Sequence, residues 1–179
     1  MEMPELPNEH VPVKQIIIAA DPSGNFEHGL GHTGIAYMQV VDGAPDWDSA
    51  KVVSINAKNY TKRKDYWRAI IQEINSHIIG SKDIVVLEKY VVRNNGFTIG
   101  KAPETAMLLG AILYQLPENV HVVEQTPAQA KHRYSDERLM YVFPKLQQIS
   151  NRWYLNGKLT NDHCRDALRH LAYCVNYNM

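Results

Sequence analysis

The sequence predicts an α/β domain built on a mixed five-stranded sheet that is flanked by helices. Three strand-like apolar runs follow one another through short connections, and later runs alternate with helical patterns. Short connections favour antiparallel neighbours, whereas strands that alternate with helices favour right-handed parallel crossovers. The length of 179 residues suits one domain, which we place at residues 14–179 behind a flexible tail of residues 1–13.

The first three strands are predicted at residues 14–21, 33–41 and 51–57. The first strand is an apolar run that ends in Asp21, and the turn-rich letters PSGN follow it. A long, glycine-bearing loop then leads to the second strand. Residues 65–79 carry apolar side chains at helical spacing and are predicted as the first helix.

The second half of the chain alternates between strands and helices. Residues 83–90 are predicted as a buried strand, residues 102–116 as a helix with a proline near its start, and residues 120–124 as a short strand. Helical segments that break near Pro144 are expected next. A last helix is expected to begin near Asp162.

Composition narrows the functional classes. The net charge of zero argues against a protein that coats nucleic acid non-specifically, although it allows a local basic patch. No apolar run reaches the ~18 residues of a membrane span, and the acidic, proline-bearing start does not resemble a signal peptide. Cys164 and Cys174 lie roughly three turns apart on one predicted helix, too far to form a disulfide. We therefore expect a cytoplasmic protein.

Acidic residues end two of the apolar strands. Asp21 closes the first strand and Glu88 lies near the end of the fourth, where an ionised side chain is unfavourable unless it is paired or binds a cation. If these strands are parallel neighbours, both acids meet at the carboxyl edge of the sheet, where ligands of open α/β sheets bind. The alternative is that each acid simply begins a loop.

The stretch NDHCRDAL, residues 161–168, adds candidates from the last helix. Asp162, His163 and Asp166 share one side of that helix near its start. Clustered carboxylates repel one another, divalent cations relieve the repulsion, and hard oxygen ligands select Mg²⁺ or Mn²⁺. Helix capping by Asn161 or Asp162 is the alternative. The apolar stripe of the helix does not direct these groups towards the sheet.

Four passages together resemble the RuvC-type Holliday-junction resolvases of phages and bacteria, within the ribonuclease H-like nucleases. The passages are IIIAADPSG with TGIAYMQV in residues 16–40, VVLEKYVVRNN in residues 85–95, GKAPETAMLLGAIL in residues 100–113, and EQTPAQAK in residues 124–131 followed by DHCRDAL in residues 162–168. The resemblance implies a ribonuclease H-like fold and a homodimer. It also implies metal-dependent hydrolysis of four-way DNA junctions, a reaction of DNA recombination and repair.

The resemblance also implies roles for individual residues. Asp21, Glu88, His163 and Asp166 match the positions of metal ligands, for two Mg²⁺ or Mn²⁺ ions, and Asp162 lies just behind them. Lys131 is the candidate for stabilising charge at the scissile phosphate. The candidates for DNA contacts are Arg93, Phe97, Lys101, Lys131, His132 and Arg133.

Several alternatives stay open at this point. Each basic candidate is also consistent with a solvated surface charge. His163, Cys164, His170 and Cys174 lie close in sequence, but they form no CxxC pair, which argues against a zinc site. A nuclease for other branched or packaged DNA, or a non-catalytic DNA-binding module of the same fold, would share most of these features.

Overall fold

The computed structural model describes residues 12–90 and 102–179. The predicted tail therefore lies outside the described residues, except for residues 12 and 13. The strands and helices, in chain order, are β1 (Lys14–Asp21), β2 (His32–Val41), β3 (Ala44–Asn56), α1 (Arg63–Ser76), β4 (Ile84–Glu88), α2 (Ala102–Gln115), β5 (His121–Gln125), α3 (Pro127–Arg133), α4 (Asp136–Val142), β6 (Leu146–Ile149), β7 (Arg152–Leu155), β8 (Lys158–Thr160) and α5 (Asp162–Tyr177), with short 3₁₀ turns at Glu27–Gly29 and Ala57–Asn59.

The predicted five-stranded sheet is confirmed. Its order is β3-β2-β1-β4-β5, with β3, β2 and β1 antiparallel and β1, β4 and β5 parallel. Both faces of the central strands are covered, which explains why β1 and β4 are almost continuous apolar runs. None of the helices in the described parts of the chain combines the length and the apolarity that a bilayer crossing requires.

Alternation along the strands divides the core between two faces of the sheet. Ile17 and Ala19 of β1 pack on one face, together with α5, α4 and the chain that follows α4. Ile18 and Ala20 pack on the other face, against α1 and α2. Because side chains of a strand alternate between faces, the side chain of Asp21 belongs to the α5 face.

The prediction of helical segments between the fifth strand and the last helix is confirmed for α3 and α4 and is wrong beyond α4. Strands β6, β7 and β8 form a separate three-stranded antiparallel sheet. Two-residue turns connect them, with positive φ at Ser150 (48°), Asn151 (62°), Asn156 (52°) and Gly157 (75°). Such turns match the twist of antiparallel strands. Trp153 then packs into the core beneath α5.

The third strand of the large sheet is longer than predicted. It begins at Ala44, directly after a turn with positive φ at Asp42 (51°) and Gly43 (79°). The sequence predicted its start at residue 51, so the letters APDWDSA before it were left out of the strand. These residues alternate between exposed and covered positions, as expected for an edge strand that faces solvent on one side.

Asp83 ties the connection between α1 and β4 to β1. Its side chain is buried (1% exposed), and its carboxylate accepts hydrogen bonds from the backbone N–H groups of Ile16 (2.7 Å), Ile79 (2.6 Å) and Gly80 (2.9 Å). Replacing this side chain with alanine leaves these donors without their partner. Hydrogen bonds to a charged acceptor are also stronger than neutral ones.

Asp83→Ala is expected to lower the free energy of unfolding by about 3 kcal/mol, measured by urea denaturation. Asp46→Ala on the exposed part of β3 is the control and should change it by less than about 0.5 kcal/mol. Equal stability of the two variants would contradict the structural role of Asp83.

Candidate active site

Two acidic side chains meet at the carboxyl edge of the large sheet. β1 and β4 are parallel neighbours, and their last registered pair is Ala20 with Leu87. Asp21 and Glu88 follow this pair directly, on strands that lie about 4.8 Å apart. Glu88 shares its face with Val86, which packs on the α5 side. Both carboxylates therefore point towards the same helix, α5.

A glycine brings the first turn of α5 against this edge. Gly34 of β2 lies opposite Asp21 in the β1–β2 register. A Cβ atom at position 34 would lie 2.2 Å from the backbone carbon and oxygen of His163 and 2.4 Å from the backbone nitrogen of Cys164. Only glycine allows this approach. The close contact places His163 Nδ1 2.7 Å from Asp21 Oδ2.

The N-terminus of α5 is capped by Asn161, whose side chain accepts a hydrogen bond from the backbone of Cys164 (2.9 Å). Asp162 is therefore not the cap. Its side chain is 86% exposed and accepts a hydrogen bond from Arg165 Nη2 at 2.6 Å. The charge of Asp162 still reaches His163, where it helps to raise the pKa.

Lys131 lies among the carboxylates. It belongs to α3, which starts in a capping box between Thr126 and Gln129. Lys131 Nζ lies 2.8 Å from Asp166 Oδ2. Partial burial opposes its charge, but the hydrogen bond to Asp166 and the charges of Asp166, Glu88 and Asp21 together raise the pKa of Lys131. One ammonium group therefore experiences the charges of three acids from three different elements.

The two histidines near Asp21 have opposite preferences for charge. The hydrogen bond to Asp21 raises the pKa of His163, against partial burial, and the charges of Asp21, Asp166 and Asp162 add to the effect. Burial, followed by the charges of His163 and Lys58, lowers the pKa of His32. The two rings lie 6.0 Å apart. The surroundings of Asp21 therefore favour the protonated form of His163 and the neutral form of His32.

Glu88 has a buried partner that the sequence did not assign to it. His170 of α5 is fully buried, and its Nε2 lies 2.8 Å from Glu88 Oε2. Its Nδ1 lies 3.0 Å from Oε1 of Gln125, and Gln125 donates in turn to Asn178 (3.1 Å). The sequence did contain a signal for this contact: His170 lies two helical turns after His163 and therefore on the same side of α5.

Asp166 is held by two cations. Besides Lys131, Arg169 Nη1 donates to its other oxygen, and the same guanidinium also binds Asp136 and the backbone carbonyl of Tyr134 (2.9 Å). Arg169 is not among the site residues predicted from the sequence. Arg169 fixes the orientation of the Asp166 carboxylate.

The predicted DNA contacts separate into two groups. Lys131 lies at the acid cluster, whereas Arg133, two residues further along α3, stacks over the Tyr177 ring (5.1 Å). His132 is exposed on the same helix. Arg93, Phe97 and Lys101 lie outside the described residues.

The donor set fits a hard divalent cation by its chemistry, since it offers carboxylate oxygens and one imidazole. Within residues 12–90 and 102–179, however, no three His, Cys, Asp or Glu side chains are arranged to hold an ion. The acidic oxygens contact protein side chains instead: His163 lies at Asp21, His170 lies at Glu88, and Lys131 and Arg169 bind Asp166.

Two cavities flank the acid cluster. One, of about 530 Å³, is lined by Glu88, Lys131, Tyr90 and the start of α3. The other, of about 410 Å³, is lined by His163, His32 and residues of β7 and β8. A chain-like ligand that crosses the acids would therefore have space on both sides of them.

Solved structures with the same fold were found, although no protein-family model and no curated protein sequence matches the chain. One is T. thermophilus RuvC in complex with Holliday junction substrate, with a TM-score of 0.58 and 17% sequence identity, covering 92% of this chain and 94% of that one. Another is a Thermus thermophilus RuvC structure, with a TM-score of 0.52 and 17% identity, covering 91% of this chain and 96% of that one. The predicted ribonuclease H-like fold of RuvC is confirmed.

Proposed function

We propose that this protein is a divalent-metal-dependent endodeoxyribonuclease that resolves four-way DNA junctions by phosphodiester hydrolysis. The observation that carries the proposal is the gathering of Asp21, Glu88 and Asp166 around Lys131 at one edge of the sheet. One carboxylate is enough to pair with a lysine at the surface. The presence of three acids from distant elements therefore needs another explanation. The shared fold with RuvC, which has been solved with a Holliday junction, supports the choice of substrate.

In this proposal Asp21, Glu88, His163 and Asp166 hold Mg²⁺ or Mn²⁺, two ions per site. Bound ions of this kind lower the pKa of the attacking water and stabilise the charge of the leaving oxygen. His170 and Arg169 fix the orientations of Glu88 and Asp166. Asp162, which is paired with Arg165, lies behind the ligands and contributes through its charge.

Lys131 supplies the protein's own cation for the reaction. Its ammonium, with a raised pKa, stays charged at neutral pH and can donate hydrogen bonds to an oxygen of the scissile phosphate. The cavity beside Glu88 and Lys131 gives the DNA strand a path past this group, and Tyr90 on its wall offers a ring for stacking. His132, Arg133, Arg93, Phe97 and Lys101 complete the proposed DNA contacts, as predicted from the sequence.

Two other functions compete with junction resolution. A nuclease for forks, flaps or packaged DNA would use the same acids, so comparison of substrates distinguishes it. A non-catalytic DNA-binding module needs no acid cluster, and the retention of Asp21, Glu88 and Asp166 with ordered partners favours a catalytic protein. The cytoplasm is the proposed location, supported by two free cysteines, both buried.

The proposal is tested with labelled DNA of four shapes: a four-way junction, a fork, a flap and a plain duplex. Each is incubated with Mg²⁺, with Mn²⁺ or with a chelator, and the initial rates of cleavage are compared. We expect the junction to be cut at least about tenfold faster than the other shapes, and no cleavage with the chelator. Equal rates on a fork or flap would favour the other nuclease, and binding without any cleavage would favour the non-catalytic module.

An exposed apolar stripe on α2 supports a homodimer. Met107 (55% exposed), Leu113 and Tyr114 (91% exposed) face solvent, and nothing lies within 4 Å of a Cβ placed on Gly110 between them. Apolar side chains that recur at this spacing form one side of a helix. We propose that this stripe joins two copies, because a two-fold dimer would present two sites to the two strands of a four-way junction.

Leu113→Glu is expected to convert the dimer to a monomer at micromolar concentration, because it places a charge in an apolar interface. Sedimentation velocity measures the outcome. Gln115→Glu, which adds a carboxylate on another side of α2, is the control and should leave the dimer intact. If Leu113→Glu sediments as the unaltered protein does, the stripe is not the interface.

A further inference from the structure

Asp136 lies between the guanidinium groups of two arginines of α5. It is the first residue of α4, whose N-terminus is capped by Ser135. Its carboxylate binds Arg169 Nη2 and lies 3.5 Å from Arg165 Nε. Arg165 and Arg169 are four residues apart and therefore lie on one side of α5. The site residues predicted from the sequence do not include Asp136.

These contacts belong to a row of alternating charges that leads to the acid cluster. In spatial order the row is Asp162, Arg165, Asp136, Arg169, Asp166 and Lys131. Three acids and three cations balance one another along it. The side chains of Arg169 and Asp166 are each only 13% exposed, and ion pairs are stronger where water is largely excluded. The position of Arg169 therefore decides which oxygens of Asp166 are available.

The guanidinium of Arg169 uses each of its three nitrogens on a different acceptor. Nε donates to the backbone carbonyl of Tyr134 (2.9 Å), Nη1 donates to Asp166 Oδ1, and Nη2 donates to Asp136 Oδ1. An arginine that is free to turn commonly binds a single carboxylate with two parallel N–H groups. Because Asp136 takes Nη2, Arg169 binds only one oxygen of Asp166.

The other oxygen of Asp166, Oδ2, has a partner that is held less firmly. It lies 2.8 Å from Lys131 Nζ, and the side chain of Lys131 is 51% exposed on a separate helix. A half-exposed ammonium on a flexible stem can turn to another anion, whereas Arg169 is held at three points. Oδ2 is therefore the oxygen that Asp166 can offer to a divalent cation, provided that Arg169 stays away from it.

We propose that Asp136 is a positioning residue, which keeps one oxygen of Asp166 available to the metal by holding Arg169 in place. This inference rests on the proposed function, in which Asp166 is a metal ligand. Without the Asp136 carboxylate, Arg169 can pivot on its hydrogen bond to Tyr134 and bind both oxygens of Asp166. It then competes directly with a divalent cation. Removal of groups that hold a ligand in position typically lowers metal affinity by about 10- to 100-fold.

Asp136→Ala tests this role, and Glu137→Ala is the matched control. Both acids lie in the first turn of α4, so each variant loses one negative charge near the same helix N-terminus. Glu137 is exposed and takes no part in the row of charges. Binding of Mn²⁺ is measured without DNA, from the electron paramagnetic resonance signal of the free ion. We expect about tenfold weaker binding in Asp136→Ala and a change of less than about twofold in Glu137→Ala.

The dependence of cleavage on Mg²⁺ distinguishes positioning from a damaged fold. In Asp136→Ala, the Mg²⁺ concentration that gives half of the maximal rate on a four-way junction should rise about tenfold, while the rate at saturating Mg²⁺ stays within about threefold. A damaged fold would lower the rate at every Mg²⁺ concentration. Asp136→Asn, which keeps the shape of the side chain without its charge, should change the Mg²⁺ requirement in the same direction.

Arg169→Gln shows whether Arg169 transmits the effect. If Asp136 acts by holding Arg169, adding Asp136→Ala to Arg169→Gln should change the affinity for Mn²⁺ by less than about twofold. An undiminished tenfold loss in this background would mean that the charge of Asp136 acts on the metal directly, and it would overturn the proposal.

The outcomes separate this role from the proposed function. If the unaltered protein cuts junctions while Asp136→Ala binds Mn²⁺ as Glu137→Ala does, Asp136 is not a positioning residue and the nuclease proposal stands. If Asp136→Ala weakens Mn²⁺ binding through Arg169 but the unaltered protein cuts no DNA with any metal, the nuclease proposal fails and the role of Asp136 stands. Absence of Mn²⁺ binding by the unaltered protein overturns the role of Asp136.

Discussion

Asp21→Asn is expected to reduce cleavage of a four-way junction by about a thousandfold or more, equivalent to about 4 kcal/mol of transition-state stabilisation. Asparagine has the size of aspartate and can still accept the hydrogen bond from His163, so the fold should be preserved. What it lacks is the negative charge that a divalent cation needs. Single-turnover rates in Mg²⁺ measure the loss.

The affinity of Asp21→Asn for the DNA junction is the second part of this prediction. Binding of the junction in chelator should change by less than about threefold, because most of the affinity for DNA comes from cationic contacts to phosphates. Asp46→Asn, on the exposed edge of β3, is the control and should retain full activity. Undiminished cleavage by Asp21→Asn would remove Asp21 from the proposed ligand set.

Gly34→Ala is expected to lower the free energy of unfolding by about 3 kcal/mol and to reduce cleavage beyond what the loss of folded protein explains. A methyl group at this position would lie 2.2 Å from the backbone of His163, so the first turn of α5 has to move away from β2. That movement separates His163 from Asp21 and Asp166 from Lys131. Urea denaturation and activity per folded molecule are the measurements.

Gly80→Ala is the matched control for Gly34→Ala. Nothing lies within 4 Å of a Cβ atom placed on Gly80, and the backbone N–H that it donates to Asp83 is kept. Its stability and activity should stay close to those of the unaltered protein. If Gly34→Ala also behaves in this way, the close approach of α5 does not position the site.

The order of the large sheet and the meeting of Asp21 and Glu88 followed from local patterns. β1 is a buried apolar run with a sharp end at an acid, and the structure places its bounds where the sequence did. Parallel pairing with β4 then brings Glu88 alongside Asp21, as expected. Strand periodicity was sufficient here because neighbouring strands impose a fixed spacing. The role of these acids as metal ligands stays a prediction.

The position of α5 could not be obtained from its own residues. Its apolar stripe suggested that Asp162, His163 and Asp166 would turn away from the sheet. His163 nevertheless contacts Asp21 and Asp166 contacts Lys131, because Gly34, which is far away in sequence, lets the first turn of α5 lie against the sheet. Such a contact depends on tertiary packing, which helical periodicity does not contain.

The three-stranded sheet, in contrast, had a local signal. Asn156-Gly157 lies between short runs with alternating side chains, which is typical of a two-residue hairpin turn. The runs are only three and four residues long, which makes their alternation a weak signal. His170 was weighed only as a zinc ligand, because its real partner, Glu88, is 82 positions away in sequence.

The separation of Asp21 and His163 by 142 positions has a consequence for protein synthesis. At about 5–20 residues per second, a ribosome makes α5 roughly ten seconds after β1. Until then the nascent polypeptide contains Asp21 and Glu88 but neither histidine that contacts them. A polypeptide of this kind carries an incomplete acid cluster while it is being translated, and the cluster is completed only when the last helix docks.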